Sequence, residues 1–226
     1  MAQPLAQSLT AQPLFTEEDY LMLERQADER SEYMDGVVYA MAGESQNHGR
    51  ISANLVAIVV THLRGKKCEA FTRDTKVRSG PLPGNKRNTK GLFSYPDLVV
   101  VCGELQYLDE HRDVLVNPSM IIEVLSDSTE NRDRKQKFLR SQKYLPALTV
   151  YVLVSQELPL IEVFHRDAPD TDSWHYFRTA DLAGTIRLPV IDCELKLAEV
   201  YDRVTFPPSD DDEEGDFETD ESPAQA

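Results

Sequence analysis

Three stretches of this chain are apolar almost without interruption, and each is about the length of one strand: Tyr95 to Cys102, Met120 to Leu125 and Thr149 to Ser155. A strand with one wet face alternates apolar and polar residues. A run without alternation is covered on both faces. These runs therefore predict the centre of a sheet packed between helices, in an α/β chain. None approaches the roughly 20 residues of a membrane-spanning helix. At 226 residues the chain has the size of one domain.

The flanking elements follow from caps and periodicity. Thr16 precedes Glu17, Glu18 and Asp19, a start signal for a helix running to about Gln26. Glu32 to Met41 reads as a strand with a turn at Asp35-Gly36. Ile51, Leu55, Ile58 and His62 recur at helical spacing, and Gly65 ends that helix. Glu69 to Val77 reads as one strand, and Ser79 to Ser94 as a loop. Ser126-Asp127-Ser128-Thr129 offers cap oxygens for a helix to about Tyr144, stopped before Pro146. Leu160–Arg166 and Trp174–Arg178 read as an antiparallel pair, followed by segments 191–195 and 197–204.

Charge is unevenly spread. Of the net −15, nine acidic residues lie from Ser209 onward with no basic residue among them, which leaves −6 on the rest. That tail reads as disordered and solubilising, or as a nucleic-acid mimic that occupies a basic face. Basic residues gather in two groups. One runs from Arg64 to Lys90 and includes Lys66, Lys67, Lys76 and Arg78; the other runs from Arg132 to Lys143. Either group offers phosphate contacts, or simply a solvated surface. Cys68, Cys102 and Cys193 are scattered and form no CxxC pair. This favours reduced, mostly buried thiols over disulfides or zinc. The first residues have neither a basic nor an apolar leader region, so no signal peptide is expected and the cytoplasm is the expected location.

Two carboxylates break the apolar runs: Asp97 after Pro96, and Glu123 within Met-Ile-Ile-Glu-Val-Leu-Ser. Charging a carboxylate inside a buried strand costs several kcal/mol unless a cation compensates. The next helix carries Lys137, with Asp133 one turn earlier on the same face. Two carboxylates on adjacent strands can chelate Mg²⁺, and a nearby lysine can orient the water that attacks a phosphodiester. Plainer readings exist for each residue: a turn for Asp97, an arginine partner for Glu123, a solvated lysine for Lys137. His48 opens a helix, where it either contacts phosphate or is an ordinary polar residue at a helix start.

Taken in order, Glu32-Tyr33-Met34-Asp35-Gly36, Met41-Ala42-Gly43 with His48, Pro96-Asp97, Glu123-Val124-Leu125-Ser126, Ser128-Thr129 with Asp133, Lys137 and Tyr144, and Tyr151 to Val154 resemble the bacterial "putative restriction endonuclease" family of the PD-(D/E)XK nuclease superfamily. The resemblance covers roughly Thr16 to Val204. It implies a restriction-endonuclease-like mixed β-sheet flanked by helices. The domain would span residues 15–206, between a disordered segment 1–14 and an acidic disordered tail 207–226. It implies a DNA endonuclease using Mg²⁺ or Mn²⁺, with Asp97 and Glu123 as metal ligands, Lys137 as the catalytic lysine and Glu32 as an auxiliary acid. Lys66, Lys67, Lys76, Arg78 and His48 would contact nucleic acid, and a homodimer would suit cutting of both strands. One departure stands out: Leu125 occupies the position of the lysine that gives the superfamily its name, and in this family the lysine is carried by the following helix, where Lys137 lies.

Overall fold

The structure, a computed structural model of the chain, describes residues 14–41, 43–82, 89–126, 130–169 and 171–207. In chain order the elements are α1 (Glu17–Glu24), β1 (Ser31–Met34), β2 (Val37–Ala40), α2 (Gln46–Leu63), β3 (Cys68–Thr72), β4 (Lys76–Ser79), β5 (Leu92–Ser94), β6 (Leu98–Cys102), β7 (Val114–Leu115) and β8 (Met120–Val124). A π-helical segment (Arg132–Lys137) then leads into α3 (Phe138–Tyr144). It is followed by β9 (Val150–Val154), β10 (Ile161–His165), β11 (His175–Thr179), β12 (Thr185–Leu188), β13 (Cys193–Lys196) and α4 (Leu197–Val200). Apart from Leu14 and Pro207, the terminal segments expected to be disordered lie outside the described residues, as do the cap residues Asp127, Ser128 and Thr129.

The three apolar runs form β6, β8 and β9, at the centre of a six-stranded sheet ordered β11-β10-β9-β8-β6-β3. Strands β8 and β9 are parallel and the other neighbours antiparallel, which makes the sheet mixed. Side-chain alternation explains why these strands are apolar throughout. Leu98, Val100, Met120, Ile122 and Val124 pack against Ile51, Leu55, Val59 and Leu63 of α2. Val99, Val101, Ile121, Tyr151 and Leu153 face the other way and pack against Phe138 of α3. The parallel β8–β9 pair needs a crossover, and the π segment with α3 provides it.

A second sheet is ordered β2-β1-β5-β4-β7. Its first hairpin turns on Asp35 (φ 49°) and Gly36 (φ 94°), between the paired Met34 and Val37. Two consecutive positive φ angles suit an Asp-Gly turn and the twist of a hairpin. α1 begins with a reciprocal capping box between Thr16 and Asp19. It sets Tyr20 and Leu21 on Tyr33, Phe93 and Val114.

Several expectations need correction. The strand read over Glu69–Val77 is two strands in two sheets: β3 ends at Thr72, Thr75 N donates to Thr72 O at 2.9 Å, and β4 joins the small sheet. The polar Arg73-Asp74-Thr75 makes that turn. The stretch read as a loop over Ser79–Ser94 contains β5, which at three residues is too short to show a period. The segment 197–204 begins with α4, and β12 pairs with β13 in a separate two-stranded sheet. Cys68 and Cys102, 34 residues apart, face each other across the β3–β6 register and form a disulfide, whereas both were expected reduced. Cys193 is free and buried, as expected. Among the described residues no helix is long and apolar enough to cross a membrane.

Candidate active site

Asp97 immediately precedes β6, and β6 pairs with β8 through Leu98↔Ile122. One step further in this antiparallel register sets Asp97 opposite Glu123. Ile121 and Glu123 alternate onto the α3 side of the sheet, so the carboxylate interrupts the apolar face that packs on Phe138. Asp97 Oδ2 accepts a 2.7 Å hydrogen bond from Val124 N, which ties the two strand ends together. Pro96 sits ahead of the strand, where its missing N–H removes no ladder bond.

Lys137 ends the π segment, whose wider turn is a frequent feature of functional sites. Its Nζ lies 2.8 Å from Glu32 Oε1, 3.0 Å from Asp133 Oδ1 and 3.5 Å from Glu123 Oε1. The Asp133 contact is an ion pair without hydrogen-bond direction, since no hydrogen bond reaches that oxygen among the described residues. Glu32 comes from β1 of the small sheet and also accepts from Tyr95 N at 3.2 Å. All four groups are buried. Burial works against the charge on Lys137, yet Glu123, Glu32 and Asp133 together hold its pKa above the ordinary lysine range. Burial pushes the Glu123 carboxyl well above its usual value despite Lys137. One ammonium among three carboxylates leaves a surplus of negative charge.

His48 lies in the first turn of α2, where Ser45 caps the helix by accepting from His48 N at 3.1 Å. Its Nε2 is 3.5 Å from Asp97 Oδ2 and its Nδ1 is 3.4 Å from Glu44 Oε1. Glu44 is also paired with Arg73. Ligand atoms of Glu44, His48 and Asp97 all lie within 4.8 Å of one another. Carboxylates and an imidazole gathered this closely suit a divalent cation, and Asp97, Glu44 and His48 are the residues that would hold one. These groups line one cleft of about 1000 Å³ with Glu32, Asp133 and Lys137. Under it, the Tyr151 hydroxyl is buried with no hydrogen-bond partner among the described residues. Burial, and then the charges of Glu123, Asp133, Glu32 and Asp97, raise its pKa well above that of free tyrosine.

The structure thus brings together Asp97, Glu123, Lys137, Glu32 and His48, each singled out in the sequence. The four basic residues picked for nucleic acid are elsewhere. Lys76 and Arg78 are buried in β4. Lys76 stands between the rings of Tyr20 and Tyr95, and Arg78 is paired with Glu17 at 2.9 Å, so neither is open to a phosphate. Lys66 and Lys67 are exposed but precede Cys68, which is registered with Cys102 at the far end of β6 from Asp97. Four strand steps separate those ends, roughly 13 Å. Part of that basic cluster, Lys86 and Arg87, falls outside the described residues. Glu44 was missed by the sequence reading. Its signal was its spacing of four residues before His48, straddling the Ser45 cap.

Residues 17–198 match the family described as "Uma2: Putative restriction endonuclease". The chain is 35% identical over 162 residues to the uncharacterized protein slr1290 of Synechocystis sp., a match covering 72% of this chain and 78% of that protein. It is 30% identical over 153 residues to the uncharacterized protein sll1609 of the same organism, covering 68% and 81%. Among solved structures it shares its fold with a "putative nuclease belonging to DUF820" from Anabaena variabilis: TM-score 0.65, 16% identity, 84% of this chain and 99% of that one. With the family match running from the first residue of α1 into α4, the chain belongs to the Uma2 family of putative restriction endonucleases.

Proposed function

We propose that this chain is a divalent-cation-dependent endonuclease that hydrolyses DNA phosphodiester bonds. The observation that carries the reading is the meeting of Asp97, Glu123, Lys137 and Glu32, from four separate segments of the chain, in one cleft. In this reading Asp97 and Glu123 hold Mg²⁺ or Mn²⁺. The cation, when bound, offsets negative charge developing on the phosphate. Lys137 orients the attacking water or stabilises charge beside it, and Glu32 positions Lys137 through their 2.8 Å ion pair. Val124 N fixes the Asp97 carboxylate through its hydrogen bond, so the acid is held before substrate arrives. Cutting both strands of a duplex calls for two such sites, hence a homodimer. This reading puts the protein with its DNA substrate in the cytoplasm, and the Cys68–Cys102 disulfide counts against that location.

The test is nicking of supercoiled plasmid by the full chain with Mg²⁺ or Mn²⁺. Asp97→Asn is expected to lower the rate about 100-fold or more while the protein stays folded. Folded wild-type protein that nicks with neither cation overturns the reading.

Two observations favour a second reading, a nuclease-fold module that binds DNA or a protein partner without cutting. Lys137 is already held by three carboxylates, and Leu125 stands at the superfamily's lysine position. DNA retention at low salt with no cleavage under either cation selects that reading.

A further inference from the structure

Around Lys137, three carboxylates already have a cation. Asp97 does not. Its side chain is only 10% exposed, and among the described residues its charged neighbour is His48, with no lysine or arginine in ion-pair range. The backbone bond from Val124 satisfies one of its oxygens. His48 is itself buried; its Nε2 faces Asp97, and its Nδ1 lies 3.4 Å from both Glu44 Oε1 and Ser52 Oγ. So the cleft has two halves. One holds Lys137 among its three carboxylates; the other presents Asp97, an imidazole and Glu44 within 4.8 Å of one another.

We infer that His48, with Glu44 and Asp97, makes a nitrogen-containing cation site on the α2 side of the cleft, one that takes a first-row transition cation in preference to Mg²⁺. The inference deepens the nuclease reading and shares with it the role of Asp97. The chemistry is that of the donors. Mg²⁺ keeps most of its waters and takes one or two carboxylates, whereas an imidazole nitrogen suits later first-row cations such as Zn²⁺, with Co²⁺ ahead of Mn²⁺ in affinity. His48 is also held in place: Ser45 fixes its backbone at the helix cap, and the first turn of α2 is anchored by Ile51 and Leu55 in the core. Arg73 competes for Glu44, the ligand shared between the ion pair and the site. Arg73 follows β3, whose last residue Thr72 is registered with Leu98, so it stands beside Asp97 at the same edge of the cleft.

The test uses the full chain stripped of metal by a chelator, with Co²⁺ and Mg²⁺ as probes and Mn²⁺ for magnetic resonance. Co²⁺ is expected to bind at least about tenfold more tightly than Mg²⁺ and to show d–d absorption, and bound Mn²⁺ to show nitrogen modulation from one imidazole. His48→Asn is expected to weaken Co²⁺ about tenfold or more, abolish the nitrogen modulation, and change Mg²⁺ affinity little. Arg73→Ala acts in the opposite direction and tightens Co²⁺ binding by releasing Glu44. Wild-type protein that binds Mn²⁺ with no nitrogen modulation overturns the inference, and that measurement needs no variant to fold. Equal affinity for Co²⁺ and Mg²⁺ overturns it as well. Failure here is separable from failure of the nuclease reading. Plasmid nicking by wild-type protein whose bound Mn²⁺ shows no nitrogen modulation removes the imidazole site and keeps the enzyme. Co²⁺ bound through nitrogen by a wild type that never nicks keeps the site and removes the enzyme.

Discussion

The Lys137 ammonium lies 2.8 Å from a Glu32 oxygen, although one residue belongs to the crossover after β8 and the other to the small sheet. This pair holds the two layers of the cleft together. Lys137→Met leaves Glu32, Asp133 and Glu123 buried without their counter-charge. Breaking such a cluster costs on the order of 3–5 kcal/mol. Thermal melts at pH 7 should show the loss. The deficit should narrow toward acid pH, where protonation removes the unpaired charges.

Lys76 makes no ion pair or hydrogen bond among the described residues, and burial lowers its pKa below the ordinary lysine value. The unfolded chain therefore binds that proton more tightly than the native chain. The resulting penalty is fully present below the lowered native value and disappears as pH rises from there to the ordinary one. Lys76→Met should raise the melting temperature at pH 7 by about 2–4 °C. That gain should shrink in melts taken at progressively alkaline pH. A lower melting temperature would mean that the two flanking tyrosine rings contribute more to stability than burial costs.

Arg78 and the pair Lys66/Lys67 separate stability from DNA contact. Arg78→Ala removes bonds to Glu17, Gly80 O and Pro81 O and leaves a buried carboxylate alone, so the melting temperature should fall steeply. Lys66→Ala with Lys67→Ala should leave plasmid nicking and its salt dependence unchanged, because these lysines flank the disulfide end of the sheet. A reduced salt slope in the double variant would place DNA at that end instead.

The thiols give a direct count. Under non-reducing denaturing conditions one thiol, that of Cys193, should react, and three should react after reduction. Reduction should also lower the melting temperature, since the cross-link closes a loop of 34 residues in the unfolded chain. Three reactive thiols before reduction would show the pair open.

The central strands were legible because β6, β8 and β9 are apolar on both faces, and the two acids that break this pattern stand out against it. Lys137 was legible from its place in the helix after Glu123. Glu44 was not, because its spacing from His48 does not show that α2 starts beside Asp97; that is a tertiary fact. Lys76 and Arg78 were misread for a related reason. A basic residue in a short polar strand looks exposed until a second sheet and α1 cover it. The Cys68–Cys102 pairing depended on register between strands far apart in sequence, which local pattern does not encode.

Only Tyr95, Pro96 and Asp97 separate β5 of the small sheet from β6 of the large one. Tyr95 borders the cleft on one side and, on the other, an acidic groove that also contains Lys76 and Glu24. Three residues allow little slack. A rotation of one sheet against the other therefore changes the gap between Glu32 and Asp97 almost directly, and mutations far out on the small sheet can misalign the cleft without touching any of its side chains.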